Sequence, residues 1–233
     1  MTEDRDRHEG LIVAPRMRTQ PMNENSVDNT GFTLIELLVV LAISGLLMGM
    51  VFSSLGVNQK ISTMARDEGE MNQNLQDVLS LMTTEIRLIG LPPVSYYDAG
   101  YLASPGSPKN LVAAGLVAIG PTFIRFQGDV NGDREVDYVH YYLSGGAAPY
   151  ALNRFAGSIH VDGSLPGGSP QKLSEQVEGL QFRYFDRSGN ETTVLANVVT
   201  IELQLTLQTK KADPNTGIHH TVTESTRIRP PNL

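Results

Sequence analysis

The sequence contains no cysteine among its 233 residues. This absence excludes disulfides, thiolate metal sites and a thiol nucleophile. Basic residues are also few, because 18 Lys and Arg stand against 25 Asp and Glu, for a formal net charge of -7. Non-specific nucleic-acid binding needs clustered Lys and Arg. We therefore expect no nucleic-acid partner.

Motifs of catalysis are missing as well. The sequence shows no nucleophile motif, no glycine-rich phosphate loop and no metal triad, so we predict that the protein is not an enzyme. The dipeptide His219-His220 stands at the start of a predicted strand. Successive side chains of a strand point to opposite faces, so this pair suits a surface position better than a chelate.

Charge is almost absent from one long segment. From Phe32 to Val57 the sequence is predominantly apolar, and Glu36 is its single charged residue. A run of this length can cross a bilayer as one helix. A carboxylate inside a membrane costs about 2.5–3.5 kcal/mol on insertion scales, so a retained one is expected to have a function.

Beyond Lys60 the sequence becomes amphipathic. Apolar residues recur at spacings of mostly three and four from Ile61 to Ile89, with polar residues such as Glu85 between them. This periodicity predicts a helix with one apolar stripe. Gly90 and Pro92-Pro93 supply a stop signal. We predict one helix from about Phe32 to about Ile89, roughly 85 Å long.

The remaining sequence predicts an antiparallel sheet. Residues 91–120 indicate a surface loop with a short helical turn near Leu111–Ala118. Alternation from Val199 to Leu207 indicates a strand with one buried face, which the amphipathic half of the helix would cover. The predicted fold class is thus α+β, with a long N-terminal helix packed on the sheet. The predicted strands are Thr122–Gln127, Val136–Leu143, Tyr150–Phe155, Ser158–Val161, Val177–Phe185, Val194–Thr209 and Ile218–Ile228, the last two joined by the hairpin loop Lys210–Gly217.

The segment Gly31-Phe32-Thr33-Leu34-Ile35-Glu36, followed by the apolar run, closely resembles the prepilin segment of type IV pilins and type II secretion pseudopilins. The resemblance implies a pilin-like fold. It also implies that prepilin peptidase cuts between Gly31 and Phe32 and that the new N-terminal Phe32 is methylated. Glycine suits the cut because it lets a protease approach the backbone closely.

Two interpretations of Glu36 stay open. A carboxylate in the first helical turn favours the positive end of the helix dipole, by about 0.3–1 kcal/mol. The resemblance implies a second role, in which Glu36 of one subunit attracts the α-amine of Phe32 in a neighbour and aligns it during assembly. In an apolar surround such a pair attracts strongly, and each charge offsets the burial cost of the other.

Three small residues, Gly45, Gly49 and Ser53, fall at a spacing of four on one helix face. This spacing permits close helix–helix approach, although an ordinary glycine-bearing membrane span is an equal alternative. Ser53 also stands where major pilins usually carry a proline, and the leader is longer and less basic than in typical prepilins. Met17 and Met22 are alternative starts to Met1.

A second likeness extends into the rest of the chain. Larger minor pilins of the PilW type, which are similar to the J-type pseudopilin of type II secretion, resemble this chain in three stretches. The stretches are residues 74–90, Val177–Tyr184 and Arg227–Leu233.

An acidic segment indicates a cation site. Oxygen-bearing side chains alternate over nine residues and resemble the opening of a calcium loop. The sixth position is not glycine, and His140 stands where a bidentate Glu would close the loop. An acidic hairpin turn at Asn131-Gly132 is the alternative interpretation. The candidate ligands are Asp129, Asn131, Asp133, Glu135 and Asp137.

These features divide the chain into four predicted segments. We expect a cytoplasmic leader over 1–31, a membrane or filament-core helix over 32–57, its amphipathic continuation over 58–90 and a periplasmic β domain over 91–233. The chain would be a structural minor pilin of the inner membrane, later of a pilus. Its partners would be prepilin peptidase, other major and minor pilins and the inner-membrane assembly platform. The alternatives are a type II secretion pseudopilin and a membrane-anchored protein that binds calcium or another ligand.

Overall fold

A computed structural model describes residue 31 and residues 33–91, 111–213 and 216–233. The chain divides into two compact units, Met1–Phe52 and Ser53–Leu233. A single helix, α1 (Leu34–Arg87), contributes to both. The described part of the first unit is the beginning of this helix, and the second unit contains its remainder and all the strands. Residues 1–30 of the predicted leader, Phe32 and most of the predicted loop over 91–120 lie outside the described residues.

Seven strands form one antiparallel sheet in chain order, so each strand lies beside its neighbours in sequence. A 3₁₀ turn, Leu195–Asn197, precedes the sixth strand. The strands are β1 (Leu116–Ile119), β2 (Phe123–Gly128), β3 (Asp137–Ser144), β4 (Tyr150–Ser158), β5 (Gln171–Phe185), β6 (Thr200–Gln208) and β7 (Thr221–Ile228).

The core of the second unit lies between α1 and one face of the sheet, which confirms the predicted α+β fold. Residues of α1 and alternate residues of the strands belong to one buried cluster. Full burial of an aliphatic side chain contributes about 1.5–3 kcal/mol relative to exposure. The α1 members are Met71, Leu75, Val78, Leu79, Met82 and Ile86, and the β6 members are Ile201, Leu203, Leu205 and Leu207.

The end of α1 is fixed against β2. Gly90 adopts a φ of +74°, a left-handed conformation that glycine tolerates and that commonly ends a helix. Its N–H donates to the carbonyl of Gln127 at 2.9 Å. A Cβ at Gly128 would stand 2.3 Å from the carbonyl oxygen of Leu88, so only glycine permits this approach. The helix therefore stops two residues before the predicted Ile89.

Several strand predictions need correction. The predicted helical turn near Leu111–Ala118 is wrong, because this segment enters β1 and pairs with β2. The predicted strand Ser158–Val161 does not form, since the chain leaves β4 after Ser158 and turns at Gly163, where φ is +81°. Residues 194–199 contain the 3₁₀ turn rather than the start of β6. In contrast, β5 begins six residues before the predicted Val177.

Candidate functional site

The start of α1 is closed by a reciprocal pair of side chains. Glu36 Oε2 accepts hydrogen bonds from the Thr33 amide at 3.0 Å and the Thr33 hydroxyl at 3.1 Å. The Glu36 amide in turn donates to the Thr33 hydroxyl oxygen at 3.3 Å. This is a capping box, which satisfies backbone N–H groups that have no partner within the helix. The local role of Glu36 is thus present in the structure.

The capping box does not occupy the whole carboxylate. Glu36 is exposed, and both hydrogen bonds end on Oε2. Within the described residues, Oε1 accepts no hydrogen bond. The second role predicted for Glu36, contact with the amine of Phe32 in a neighbour, needs such an available oxygen. Phe32 itself lies outside the described residues.

Gly31 is exposed, and a Cβ placed on it would meet no atom within 4 Å. The same holds for Gly45 and Gly49 further along α1. No neighbour within the described chain therefore requires a glycine at these positions. The predicted reason for glycine at each of them, processing at Gly31 and helix packing at the other two, concerns another molecule.

The apolar side chains of α1 up to Val57 are exposed. Their exposed fractions reach 78% at Leu34 and are still 50% at Leu55. Among the described residues, α1 is the one helix that is long and apolar enough to cross a membrane, with a window of mean hydropathy 2.5. Apolar surface on this scale indicates contact with lipid or protein. The segment is suited to membrane anchoring.

Comparison with known families agrees with this geometry. A family described as the prokaryotic N-terminal methylation motif matches residues 28–52. This segment includes Gly31, Phe32, Glu36 and most of the exposed apolar run. No curated protein matches the chain.

The matched motif supports a type IV pilin-like protein. It supports a pilin or pseudopilin that prepilin peptidase processes, that is anchored in the membrane by one helix, and that assembles with other pilins. A structural, non-enzymatic subunit fits this class. The match covers the N-terminal motif alone.

The acidic loop between β2 and β3 is held by its own carboxylates. Asp129 accepts hydrogen bonds from the amides of Gly132 at 2.7 Å and Arg134 at 3.0 Å. Asp133 accepts one from the Glu135 amide at 2.7 Å. The predicted hairpin turn at Asn131-Gly132 is therefore well supported by hydrogen bonds. Arg134 adopts a φ of +70°, which is uncommon for a residue other than glycine.

Asp137 is the most buried candidate ligand of this loop, with an exposed fraction of 2%. It accepts hydrogen bonds from the Val130 amide at 3.2 Å and the Ser158 hydroxyl at 2.9 Å. Burial raises the pKa of Asp137, and the nearby charges of Asp133 and Asp129 add to the effect. Within the described residues, no group of three or more His, Asp or Glu side chains is arranged to hold a metal ion. Calcium binding stays a prediction.

The histidine pair is placed differently from the prediction, because β7 begins after it at Thr221. His219 Nδ1 lies 2.7 Å from the carbonyl oxygen of Thr209. His220 Nδ1 lies 3.4 Å from Glu68 Oε1 on α1. The two rings thus contact different groups beside the loop after β6.

The sequence did not reveal a buried ionic cluster between α1 and the sheet. Glu85, expected on the polar side of α1, has an exposed fraction of 5%. Arg154 Nε on β4 donates to both of its carboxylate oxygens, at 3.0 and 2.9 Å, and the Tyr141 hydroxyl on β3 also donates to it. Burial and the charge of Glu85 raise the pKa of Tyr141 above its usual range. The available signal was the position of Glu85, three residues after Met82 and beside Ile86 on the apolar stripe.

Proposed function

We propose that the protein is a minor pilin of a type IV pilus. It would be made as an inner-membrane precursor with the β domain in the periplasm, lose residues 1–31 and enter a filament or its tip. The observation that carries this proposal is the coincidence of the N-terminal methylation motif with a helix start whose apolar side chains have no partner within the described chain. A packed shaft of helices would cover that surface.

Assembly would use the two charges at the new N-terminus. The α-amine that cleavage creates at Phe32 is mostly protonated, and so a cation, at neutral pH. The open oxygen of Glu36 in a neighbouring subunit would accept it. Gly45, Gly49 and Ser53 would then allow the helices of adjacent subunits to approach closely.

Mass spectrometry of the N-terminus tests the proposal. The protein isolated from cells should begin at a methylated Phe32, and Gly31→Leu should leave the leader attached because a bulky side chain blocks close approach of the peptidase. Gly31→Ala is the matched control with the smallest added side chain. An intact leader on the wild-type protein, with no filament-associated fraction, would contradict the proposal.

A pseudopilin of type II secretion is the nearest alternative, since its precursor carries the same motif. The two differ in where the subunit is found. A minor pilin co-purifies with sheared pili, whereas a pseudopilin is needed for release of secreted proteins. Fractionation and a secretion assay on a deletion strain separate them.

A further inference from the structure

The second unit contains an unfilled groove where two strands of the sheet separate. β5 pairs with β6 only from Val177 onward, opposite Leu207. Its first six residues, 171–176, pair with β4 on one side and have no strand on the other among the described residues. Residues 67–77 of α1 line the opposite wall. The cavity between them has a volume of about 560 Å³, which is typical of a binding site.

Backbone groups of β5 in this groove have substitute partners. The carbonyl of Leu173 accepts a hydrogen bond from the Asn74 side chain of α1 at 3.4 Å. The amide of Gln176 donates to the Ser174 hydroxyl, also at 3.4 Å. Both contacts are long for hydrogen bonds of these groups. A strand that paired with this half of β5 could replace them with shorter backbone bonds, as in recognition by strand addition.

The charges of the groove indicate what would fill it. Lys172 is paired with Glu175 at 2.5 Å and Lys210 with Glu70 at 3.5 Å. Asp67 and Asp77 also line the groove, and neither forms an ion pair within the described residues. After the two internal pairs are counted, the groove therefore has two uncompensated carboxylates. A ligand that complements it carries positive charge.

The separation of these carboxylates along α1 is comparable to the length of a short extended segment. Asp67 and Asp77 are ten residues apart on α1, about 15 Å along the helix axis. An extended chain covers this distance in about five residues, at 3.2–3.4 Å per residue. Residues one and five of such a segment lie on the same face because side chains alternate. Lysine and arginine side chains are long enough for basic residues near the two ends of such a segment to approach both carboxylates.

We propose that this groove binds an extended segment of a partner chain that carries two basic residues. The segment adds a strand beside residues 172–176 of β5 and places its basic side chains against Asp67 and Asp77. The apolar side chains of Met71, Leu173 and Leu207 line the same cavity and accept the residues between. The site lies wholly in the second unit, so it does not depend on processing or polymerisation of the first.

Peptide binding to the full-length protein in detergent micelles is the direct test. The probe is the fluorescent, end-capped pentapeptide Lys-Thr-Val-Thr-Lys, and binding is followed by anisotropy. We expect saturable binding that weakens with salt, and no saturable binding of Glu-Thr-Val-Thr-Glu. Methylation of the backbone nitrogens of the lysine peptide should abolish binding, because it removes the donors for strand pairing. Equal binding of all three peptides would overturn the proposal.

A pair of variants tests the groove itself. Asp67→Asn combined with Asp77→Asn should weaken binding of the lysine peptide by about 2- to 30-fold, the range expected for two exposed charge pairs. Glu178→Gln combined with Glu191→Gln removes the same charge outside the groove and should leave binding unchanged. Equal losses of peptide binding in both double variants, or no loss in the first, would show that this groove is not the binding site. The peptide comparison uses unmodified protein, so it decides the question even where a variant fails to fold.

Discussion

The two halves of α1 differ in what covers their apolar side chains. From Leu34 to Val57 the apolar residues are exposed, whereas from Met71 to Ile86 the apolar stripe is buried against the sheet. The second half is amphipathic and has its partner within the chain. The first half is apolar on all sides and has no partner among the described residues. Its surface is therefore expected to be covered by lipid, by other subunits or by both in turn.

Each half of α1 also has one carboxylate of interest, and these two carboxylates differ in their burial and in their hydrogen bonds. Glu36 is exposed and leaves one oxygen open, while Glu85 is buried and contacts both Arg154 and Tyr141. A buried carboxylate is stable when a cation and a hydrogen-bond donor accompany it. The comparison indicates that Glu85 serves the fold of this chain and that Glu36 is available to another chain.

The largest expected effect separates the two roles of Glu36. Glu36→Gln keeps an acceptor for the capping box, since Gln also serves at this position, but removes the charge. We expect both Glu36→Gln and Glu36→Ala to be processed normally and to be nearly absent from filaments. The measurement is the ratio of filament-associated to membrane-associated protein, with Glu178→Gln as the control. Normal incorporation of Glu36→Gln would show that the cap alone suffices.

The next effect concerns Glu85. Glu85→Ala leaves the guanidinium of Arg154 partly buried without a counter-charge and should lower the free energy of unfolding by about 3–5 kcal/mol. Arg66→Ala, which breaks the exposed pair between Arg66 and Glu70, should leave the free energy of unfolding nearly unchanged, because solvent screens an exposed ion pair. Urea unfolding in detergent, followed by tyrosine fluorescence, measures both. A loss below about 1 kcal/mol for Glu85→Ala would mean that the cluster is dispensable, as for an ordinary surface site.

A smaller effect is expected from calcium at the acidic loop. Asp137 and Asp129 are buried carboxylates with no basic side chain among the hydrogen-bond donors described for them, in contrast to Glu85. A cation could supply the missing charge, and a ligand at 100 times its dissociation constant stabilises by about 2.7 kcal/mol. We expect calcium, but not magnesium, to raise the melting temperature. Asp133→Asn should reduce the shift. No heat of binding in a calorimetric titration would exclude calcium and leave the hairpin-turn interpretation.

The parts of the fold in which apolar residues recur with a strong periodicity were predictable from the sequence. The stripe on α1 and the alternation in β6 lie where they were expected, because one face of each is buried and the period repeats over many residues. The capping box was not foreseen, although Thr33 and Glu36 have its spacing. The sequence-based interpretation assigns Glu36 to the helix dipole or to a neighbour, without a hydrogen bond to Thr33.

Other parts could not be read from the sequence, for identifiable reasons. The first six residues of β5 are mostly polar and pair with a strand on one side only, so they show no alternation of apolar and polar residues. The segment from Val194 to Val199 has strand-forming residues, yet Val194 is 55% exposed and the chain turns there instead. Glu85 is buried only because Tyr141 and Arg154 reach it from residues 56 and 69 positions away. Such long-range partners leave no local pattern.

The smallest expected effect is the pH dependence caused by Asp137. Its pKa is raised in the folded protein, so between the ordinary value of 3.8 and the raised one the folded state binds the proton more tightly than the unfolded state. Stability should therefore fall as pH rises through this window and stay lowered above it. Asp137→Asn can still accept from the Val130 amide and has no proton to lose, so this decline should disappear. We expect the free energy of unfolding of this variant, relative to that of the wild type, to rise from acid to neutral pH. Urea unfolding across this pH range in EDTA measures the difference. If the difference in free energy of unfolding between the two proteins stays constant across this pH range, Asp137 titrates alike in the folded and unfolded states. If saturating calcium removes the pH-dependent decline in the stability of the wild type, the cation lies beside this carboxylate.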